Sequence, residues 1–336
     1  MSRRFDSIPI IDVDRLFDGQ GAARDAVDAE IGRACEEIGF LVIAGRSLAP
    51  LSARERIADL LRFFDLSEAE RRPLARQRYV AENANIYRGY FPVMNGERTF
   101  KEGIDIGPEF AEGDPRYPVS DPLVERNIWP EETRLPGWRR EVVAYYADME
   151  ALGARLMQSL ARHLGLAEDW FAPAFEGSNS TLRLLHYPVR TPRSLEGVDE
   201  SEAFVDTPAG RAALIAGAHV DSGNLTILHQ DGVGGLQAQN AAGEWVDVPP
   251  LPGSFVVNLG GALQRWTNDW LKATTHRVIG RTQERYSVPF FFEPAVDAEI
   301  ACVPTCGAPR YAPVRYGDHV TQAMQRFVET RGVAVG

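Results

Sequence analysis

Ala212-Ala-Leu-Ile-Ala-Gly-Ala-His-Val220 runs apolar into an Asp-Ser-Gly-Asn turn and is followed at once by Leu225-Thr-Ile-Leu-His229. Two short apolar runs on either side of a turn are the pattern of neighbouring strands. The same texture continues on both sides: residues 182–187 before it, and 234–239, 245–248, 254–258, 274–279, 286–292 and 299–303 after it, separated by turn residues. Many short strands at this spacing predict a mainly β core, a sandwich or barrel such as a jelly roll.

Upstream the texture changes. Residues 8–12 read as an edge strand, and Ala26, Ile31, Ala34 and Ile38 recur at helical spacing over 23–37, where Gly39 stops the helix before the buried strand Phe40-Leu-Val-Ile-Ala44. Helices are expected over 51–64 and 67–75, the second opened by a Ser67/Glu70 capping box. The longest helix is expected over 138–164, closed by Gly165, with His163 in the last turn as a dipole cap rather than a catalytic group. Residues 78–121 are rich in Gly, Pro, Asn and aromatics, and a stretch of that length without periodicity predicts a functional loop region beside the active site. No repeat and no linker is visible. We therefore expect one catalytic domain over 1–336: an N-terminal helical and strand flank (1–180), a jelly-roll core (181–305) and a C-terminal segment (306–336).

Composition narrows the function. The chain has 336 residues, 44% hydrophobic and 25% charged, enough to bury a core without disulfides or a structural metal. Its 36 basic and 47 acidic residues give a net charge of −11, with the basic residues scattered, which argues against a nucleic acid or an anionic membrane as partner. Cys35, Cys302 and Cys306 are too few for a disulfide framework and read as ordinary thiols. The acidic and proline-containing start and the lack of a long apolar window predict a cytoplasmic protein without a membrane span.

Two of the six histidines stand in a chemically useful arrangement. In an extended segment, residues two apart share a face, so His219 and Asp221 of His219-Val-Asp221 offer an imidazole and a carboxylate to one point, with Val220 packing behind. Alone the triplet is common. His276, 55 residues beyond Asp221 in another expected strand, supplies the third ligand of a two-His, one-carboxylate facial site for six-coordinate Fe(II). A divalent ion with one carboxylate ligand retains positive charge and favours an anionic chelator, whose far end then needs its own cation. Arg285-Tyr-Ser287 provides one, since Arg285 and Ser287 share a face. Tyr187 is the expected third contact, on the face that also carries Arg183 and Leu185, while His186 points away.

Ala218-His-Val-Asp-Ser-Gly-Asn-Leu-Thr226, Gly234-Gly-Leu-Gln237, Asn258-Leu-Gly260, Gln264-Arg-Trp-Thr-Asn268, His276-Arg-Val278 and Arg285-Tyr-Ser287 together resemble the isopenicillin N synthase-like branch of the Fe(II)/2-oxoglutarate-dependent dioxygenases. The resemblance extends to Ile8-Pro-Ile-Ile-Asp12, Gly39-Phe40, Phe63-Phe64, Tyr87-Arg-Gly-Tyr90, Lys101-Glu-Gly103 and Leu185-His-Tyr-Pro188, and so covers nearly the whole chain. It implies a double-stranded β-helix core with N-terminal α/β support. It also implies iron on His219, Asp221 and His276, and 2-oxoglutarate held by Arg285 and Ser287 with help from Tyr187. O2 is then the oxidant and a small organic molecule the substrate, hydroxylated, desaturated or cyclised.

This chain departs from the branch at four places. Ser222 stands where an aromatic residue is common after the metal carboxylate, and Gly261 where Asp often follows Asn-x-Gly. Ala44-Gly-Arg46 replaces Asn-His-Gly, and Leu185 replaces a common Asn. Three chemistries remain open from the residues themselves. One is a 2-oxoglutarate-dependent dioxygenase. Another is an oxidase without 2-oxoglutarate, whose Arg285 and Ser287 grip the substrate's own carboxylate. The third is a zinc hydrolase or metal-free binding module on a jelly roll. His186 and His229 are expected to be structural, His319 a polar-face or helix-start residue, and Gly232-Val-Gly-Gly235 a turn rather than a phosphate loop.

Overall fold

The computed structural model describes residues 5–97, 99–118, 120–207, 210–280 and 283–324; the last part of the expected C-terminal segment, 325–336, lies outside them. Thirteen strands build two sheets: β1 (Ile10–Asp12), β2 (Phe40–Ala44), β3 (Gly89–Phe91), β4 (Glu102–Ile106), β5 (Thr181–Tyr187), β6 (Phe204–Thr207), β7 (Gly210–His219), β8 (Leu225–Gln230), β9 (Leu236–Gln239), β10 (Trp245–Asp247), β11 (Phe255–Leu259), β12 (His276–Gly280) and β13 (Arg285–Phe292). The larger sheet runs β1-β2-β11-β8-β13-β5-β4-β3 and the smaller β10-β9-β12-β7-β6. All the pairings are antiparallel except β1 with β2. Strands that alternate between two facing sheets in this way form the double-stranded β-helix.

Period-two alternation on β13 decides how the core and the cavity divide. Val288, Phe290 and Phe292 are buried against the outer helical layer, whereas Arg285, Ser287, Pro289 and Phe291 face a cavity between the sheets. The helix Trp138–His163 covers the outer face with Val142, Tyr145, Met149, Leu152, Leu156 and Leu160, a three-four spacing that makes one apolar stripe. Gly153 permits the close approach, because a side chain there would enter the Phe292 ring. Proline in a central strand removes a ladder donor. The β5–β13 pairing accordingly lapses at Val288 and Pro289 and resumes at Phe290 opposite Leu182.

Several expected elements take a different form. The helix expected over 51–64 is broken into Ala49–Ser52, Arg54–Leu61 and a 3-10 turn Arg62–Asp65, because Ala53 adopts an extended ψ of 129°. The 67–75 segment shortens to Glu68–Arg71 plus a 3-10 turn, with its capping box in place and Ser67 N donating to Glu70 Oε2 at 2.8 Å. The 78–121 region contains β3 and β4, which join the larger sheet through β5. β4 hides in the sequence because it buries Glu102 and Asp105, each satisfied by ion pairs. His163 lies in the last turn of its helix, as expected, and also pairs with Glu36 of the neighbouring helix at 2.8 Å. Among the described residues no helix is long and apolar enough to cross a membrane.

Candidate active site

The cavity between the sheets is lined from both walls. β5 contributes Thr181, Arg183, Leu185 and Tyr187, β13 contributes Arg285, Ser287, Pro289 and Phe291, and the end of β7 and start of β12 contribute His219, Asp221 and His276. His276 lies directly opposite His219 in the β7–β12 register, with ring centroids 4.3 Å apart. One ligand atom from each of His219, Asp221 and His276 lies within 4.8 Å of the other two. Asp221 Oδ1 is 3.5 Å from His219 Nε2 and 3.6 Å from His276 Nε2.

The surrounding hydrogen bonds orient all three groups. His219 Nδ1 donates to the Gly217 carbonyl at 2.7 Å and His276 Nδ1 to the Thr274 carbonyl at 3.1 Å, so each ring turns its Nε2 toward the common point. Thr226 Oγ1 and Asn258 Nδ2 both donate to Asp221 Oδ2, at 2.6 and 2.8 Å, leaving Oδ1 for a ligand. Burial alone would raise the Asp221 carboxyl, but His276, His219 and the Thr226 hydroxyl hold it well below the usual carboxylate range. Burial, with His219 beside it, pushes His276 down to about 4, so its ring is neutral and able to bind a metal at physiological pH. Two imidazoles and one carboxylate on a face fit Fe(II).

Arg285 is 2% exposed. Its Nε donates to the Gly234 carbonyl at 3.0 Å and its Nη2 to Gln230 Oε1 at 3.4 Å, and its guanidinium lies 4.9 Å from the centre of the Tyr187 ring. Nη1 is buried without a hydrogen-bond partner among the described residues. A buried guanidinium N–H left without a partner is costly, and one that faces a cavity suits an anionic group there. Ser287 shares its face, as expected from the spacing, and Tyr187 stands opposite Arg285 in the β5–β13 register.

The whole chain can be set beside known proteins. A family profile described as the 2OG-Fe(II) oxygenase superfamily matches residues 179–294, and one described as the non-haem dioxygenase in morphine synthesis N-terminal region matches 8–132. The 2-oxoglutarate-Fe(II) type oxidoreductase hxnY of Emericella nidulans is 32% identical, over 95% of this chain and 89% of that protein. The chain belongs to the 2OG-Fe(II) oxygenase superfamily. Isopenicillin N synthase of Streptomyces griseus is 30% identical over 97% of both chains. The fold is that of a full-length Neurospora crassa protein solved in complex with alpha-KG, at a TM-score of 0.78 with 24% identity over 96% of this chain and 97% of that one. Membership makes the protein an oxygenase-family enzyme and removes the zinc hydrolase and binding-module readings.

Within this superfamily member, other sequence expectations divide. Val220, expected to pack behind the ligands, is 38% exposed, because β7 ends at His219 and the chain leaves the sheet there. Ser222 lines the cavity, and its carbonyl accepts from His319 Nε2 at 2.9 Å, which ties the helix Tyr316–Met324 to the ligand loop. Arg183 is both a cavity residue and an ion-pair partner, donating to Asp105 through Nε at 2.5 Å and Nη2 at 2.7 Å, while Arg76 grips the same carboxylate. His186 turns away to Glu102 and stacks on Tyr286, and burial pushes His229 down to about 4. Tyr87 and Lys101 bring the 78–121 region to the cavity. Tyr87 is positioned by Glu125, whose carboxylate accepts the backbone N–H groups of Ile86, Tyr87 and Arg88 at 2.7 to 2.9 Å. Neither Glu125 nor Glu293, the residue just after β13, was expected at the site; the two-residue rhythm Arg285, Ser287, Pro289, Phe291 would have reached the latter.

Proposed function

We propose that this protein is an Fe(II)- and 2-oxoglutarate-dependent dioxygenase that oxidises a small organic molecule, and that residues 1–336 form one catalytic domain. His219, Asp221 and His276 would hold the iron. Arg285 and Ser287, assisted by Tyr187, would hold the distal carboxylate of 2-oxoglutarate. The observation that carries the reading is the placement of the three convergent ligands and the unpartnered Arg285 Nη1 in one cavity. When bound, iron would activate O2, the oxidant, and 2-oxoglutarate would supply two of the electrons that reduce it, leaving as succinate and CO2.

The protein's own part is orientation and exclusion of water. Thr226 and Asn258 aim Asp221, and the Gly217 and Thr274 carbonyls fix the imidazole tautomers. Leu185, Leu228, Leu236 and Val278 give the co-substrate end apolar walls, so the Arg285 charge acts through little intervening water. The free cysteines support a reducing, cytoplasmic setting.

Similarity to isopenicillin N synthase along the whole chain favours one further reading, a 2-oxoglutarate-independent oxidase whose Arg285 and Ser287 bind the substrate's carboxylate. Incubation with Fe(II), O2 and carbon-labelled 2-oxoglutarate separates the two. The dioxygenase releases succinate and labelled CO2, at a rate raised by its substrate, and the oxidase releases neither.

A further inference from the structure

The strand register arranges the cavity's charges along its length. Arg285 pairs with Tyr187, and the β4–β5 register carried one residue back sets Lys101 beside the same Tyr187, so two cations stand at one end. From Arg285, the cavity face of β13 passes Ser287, Pro289 and Phe291 to Glu293, eight residues on and roughly 26 Å along an extended chain at about 3.3 Å per residue. Glu293 and Asp221 are the carboxylates among the lining residues. The His219–Asp221–His276 cluster lies on the wall between the two ends.

Glu293 is 7% exposed, and among the described residues no Lys, Arg or His forms an ion pair with it. The neighbouring guanidiniums are engaged elsewhere: Arg183 is bidentate on Asp105, and Arg88 is spent on Thr181 Oγ1 and the carbonyl and side chain of Asn179. The space around Glu293 is built for it. A side chain at Gly223 would collide with Glu293 Oε1 and crowd the Tyr316 hydroxyl, so the glycine after Ser222 makes room for this carboxylate. Burial, with the Asp221 carboxylate nearby, pushes its carboxyl up to about 7 against the pull of Arg88, the Tyr316 hydroxyl and Arg183, so its neighbours at this end are a neutral hydroxyl and guanidiniums already held by other groups.

We propose that Glu293 determines substrate specificity, its carboxylate receiving a positively charged nitrogen, ammonium or guanidinium, at the end of the cavity opposite Arg285. The inference rests on the reading of Arg285 as the co-substrate anchor, because that assignment leaves the Glu293 end to the substrate. Phe291 and Val320 supply apolar surface for the carbon skeleton next to that nitrogen. A substrate carboxylate at this end would meet Glu293 instead of a free cation, so the same geometry selects against acids.

Calorimetric titration of the anaerobic Fe(II)- and 2-oxoglutarate-loaded protein with n-hexylamine, n-hexanol and n-hexanoate tests the proposal without turnover. The amine is expected to bind at least about tenfold more tightly than the alcohol, and the acid least, as an added buried charge pair requires. Glu293→Gln should bring amine and alcohol within about threefold of each other, with 2-oxoglutarate affinity unchanged. Glu293→Asp, which keeps the charge but draws it back, should weaken the amine and leave the alcohol alone, and it serves if the Gln variant fails to fold. Equal or inverted preference in the wild type, no amine binding where 2-oxoglutarate binds, or an amine preference that survives Glu293→Gln overturns the proposal. Failure of 2-oxoglutarate itself to bind instead refutes the co-substrate reading, and with it the assignment of the Glu293 end to the substrate.

Discussion

Replacing Arg285 by Gln removes the guanidinium from its end of the cavity and leaves a shorter, neutral amide. In the wild type, Nη1 is buried and unpartnered among the described residues, while Nε is held on the Gly234 carbonyl, so the fork is already oriented before any anion arrives. Unit charges about 4 Å apart attract by about 4 kcal/mol at an effective dielectric of about 20. A hydrogen bond to a charged group nets about 1.5–3 kcal/mol. These overlap rather than add, and the Gln amide recovers a neutral bond, so the expected loss is roughly 2–5 kcal/mol, an affinity lower by about 30-fold to about 5,000-fold. Titration of 2-oxoglutarate into the anaerobic Fe(II)-loaded variant measures it, with Fe(II) affinity, measured separately, expected to stay near the wild-type value. Arg285→Lys should fall between the two, because it keeps the charge and loses the planar fork. An Arg285→Gln affinity within about threefold of wild type would refute the co-substrate role of this residue.

His219→Ala, Asp221→Ala and His276→Ala should each abolish stoichiometric Fe(II) binding, assayed by metal analysis, while the circular dichroism spectrum is unchanged; Asp221→Glu should fail as well, because the added methylene displaces Oδ1 from its aim. Ser222→Tyr should leave iron and 2-oxoglutarate binding intact but uncouple turnover, seen as succinate formed in excess of oxidised product. Asp105→Asn should lower the urea midpoint by the equivalent of about 3–5 kcal/mol, since it removes the counter-charge shared by the buried Arg76 and the half-buried Arg183. Burial would raise the Asp105 carboxyl, but Arg183 and Arg76 hold it below the usual range. Its stabilising contribution is therefore complete above the ordinary Asp pKa of about 3.9 and lost as pH falls through the lower folded value, so the wild type and Asp105→Asn stability curves should converge at acid pH.

Much of the fold, and the shared faces of His219 with Asp221 and of Arg285 with Ser287, were legible because they depend on local periodicity, whereas His276 meets the first pair only through the β7–β12 register. His219 and Asp221 are two apart, Arg285 and Ser287 two apart, and period two is the one pattern a strand enforces. Legibility failed where burial depends on a distant partner. β4 carries Glu102 and Asp105, which look solvent-facing until Arg71, Arg76 and Arg183 arrive from other elements to neutralise them. Val220 was misjudged because the pattern says which face a residue takes only while the strand lasts, and β7 ends one residue earlier. Glu125 could not be read at all: its role is to collect three successive backbone N–H groups from a loop 37 to 39 residues away, and nothing in its own neighbourhood records that.

The single cavity face of β13 constrains how this enzyme can diverge. Inserting or deleting one residue between Ser287 and Glu293 would exchange Pro289, Phe291 and Glu293 for Val288, Phe290 and Phe292, turning a carboxylate into the apolar core and phenyl rings into the cavity. Length changes in this strand are therefore lethal to both layers at once, whereas point replacements at 291 and 293 leave the Arg285 end in register. New selectivities can arise in descendants of this chain by exchanging side chains at the far end of one ruler, without disturbing the Arg285 end proposed for the co-substrate.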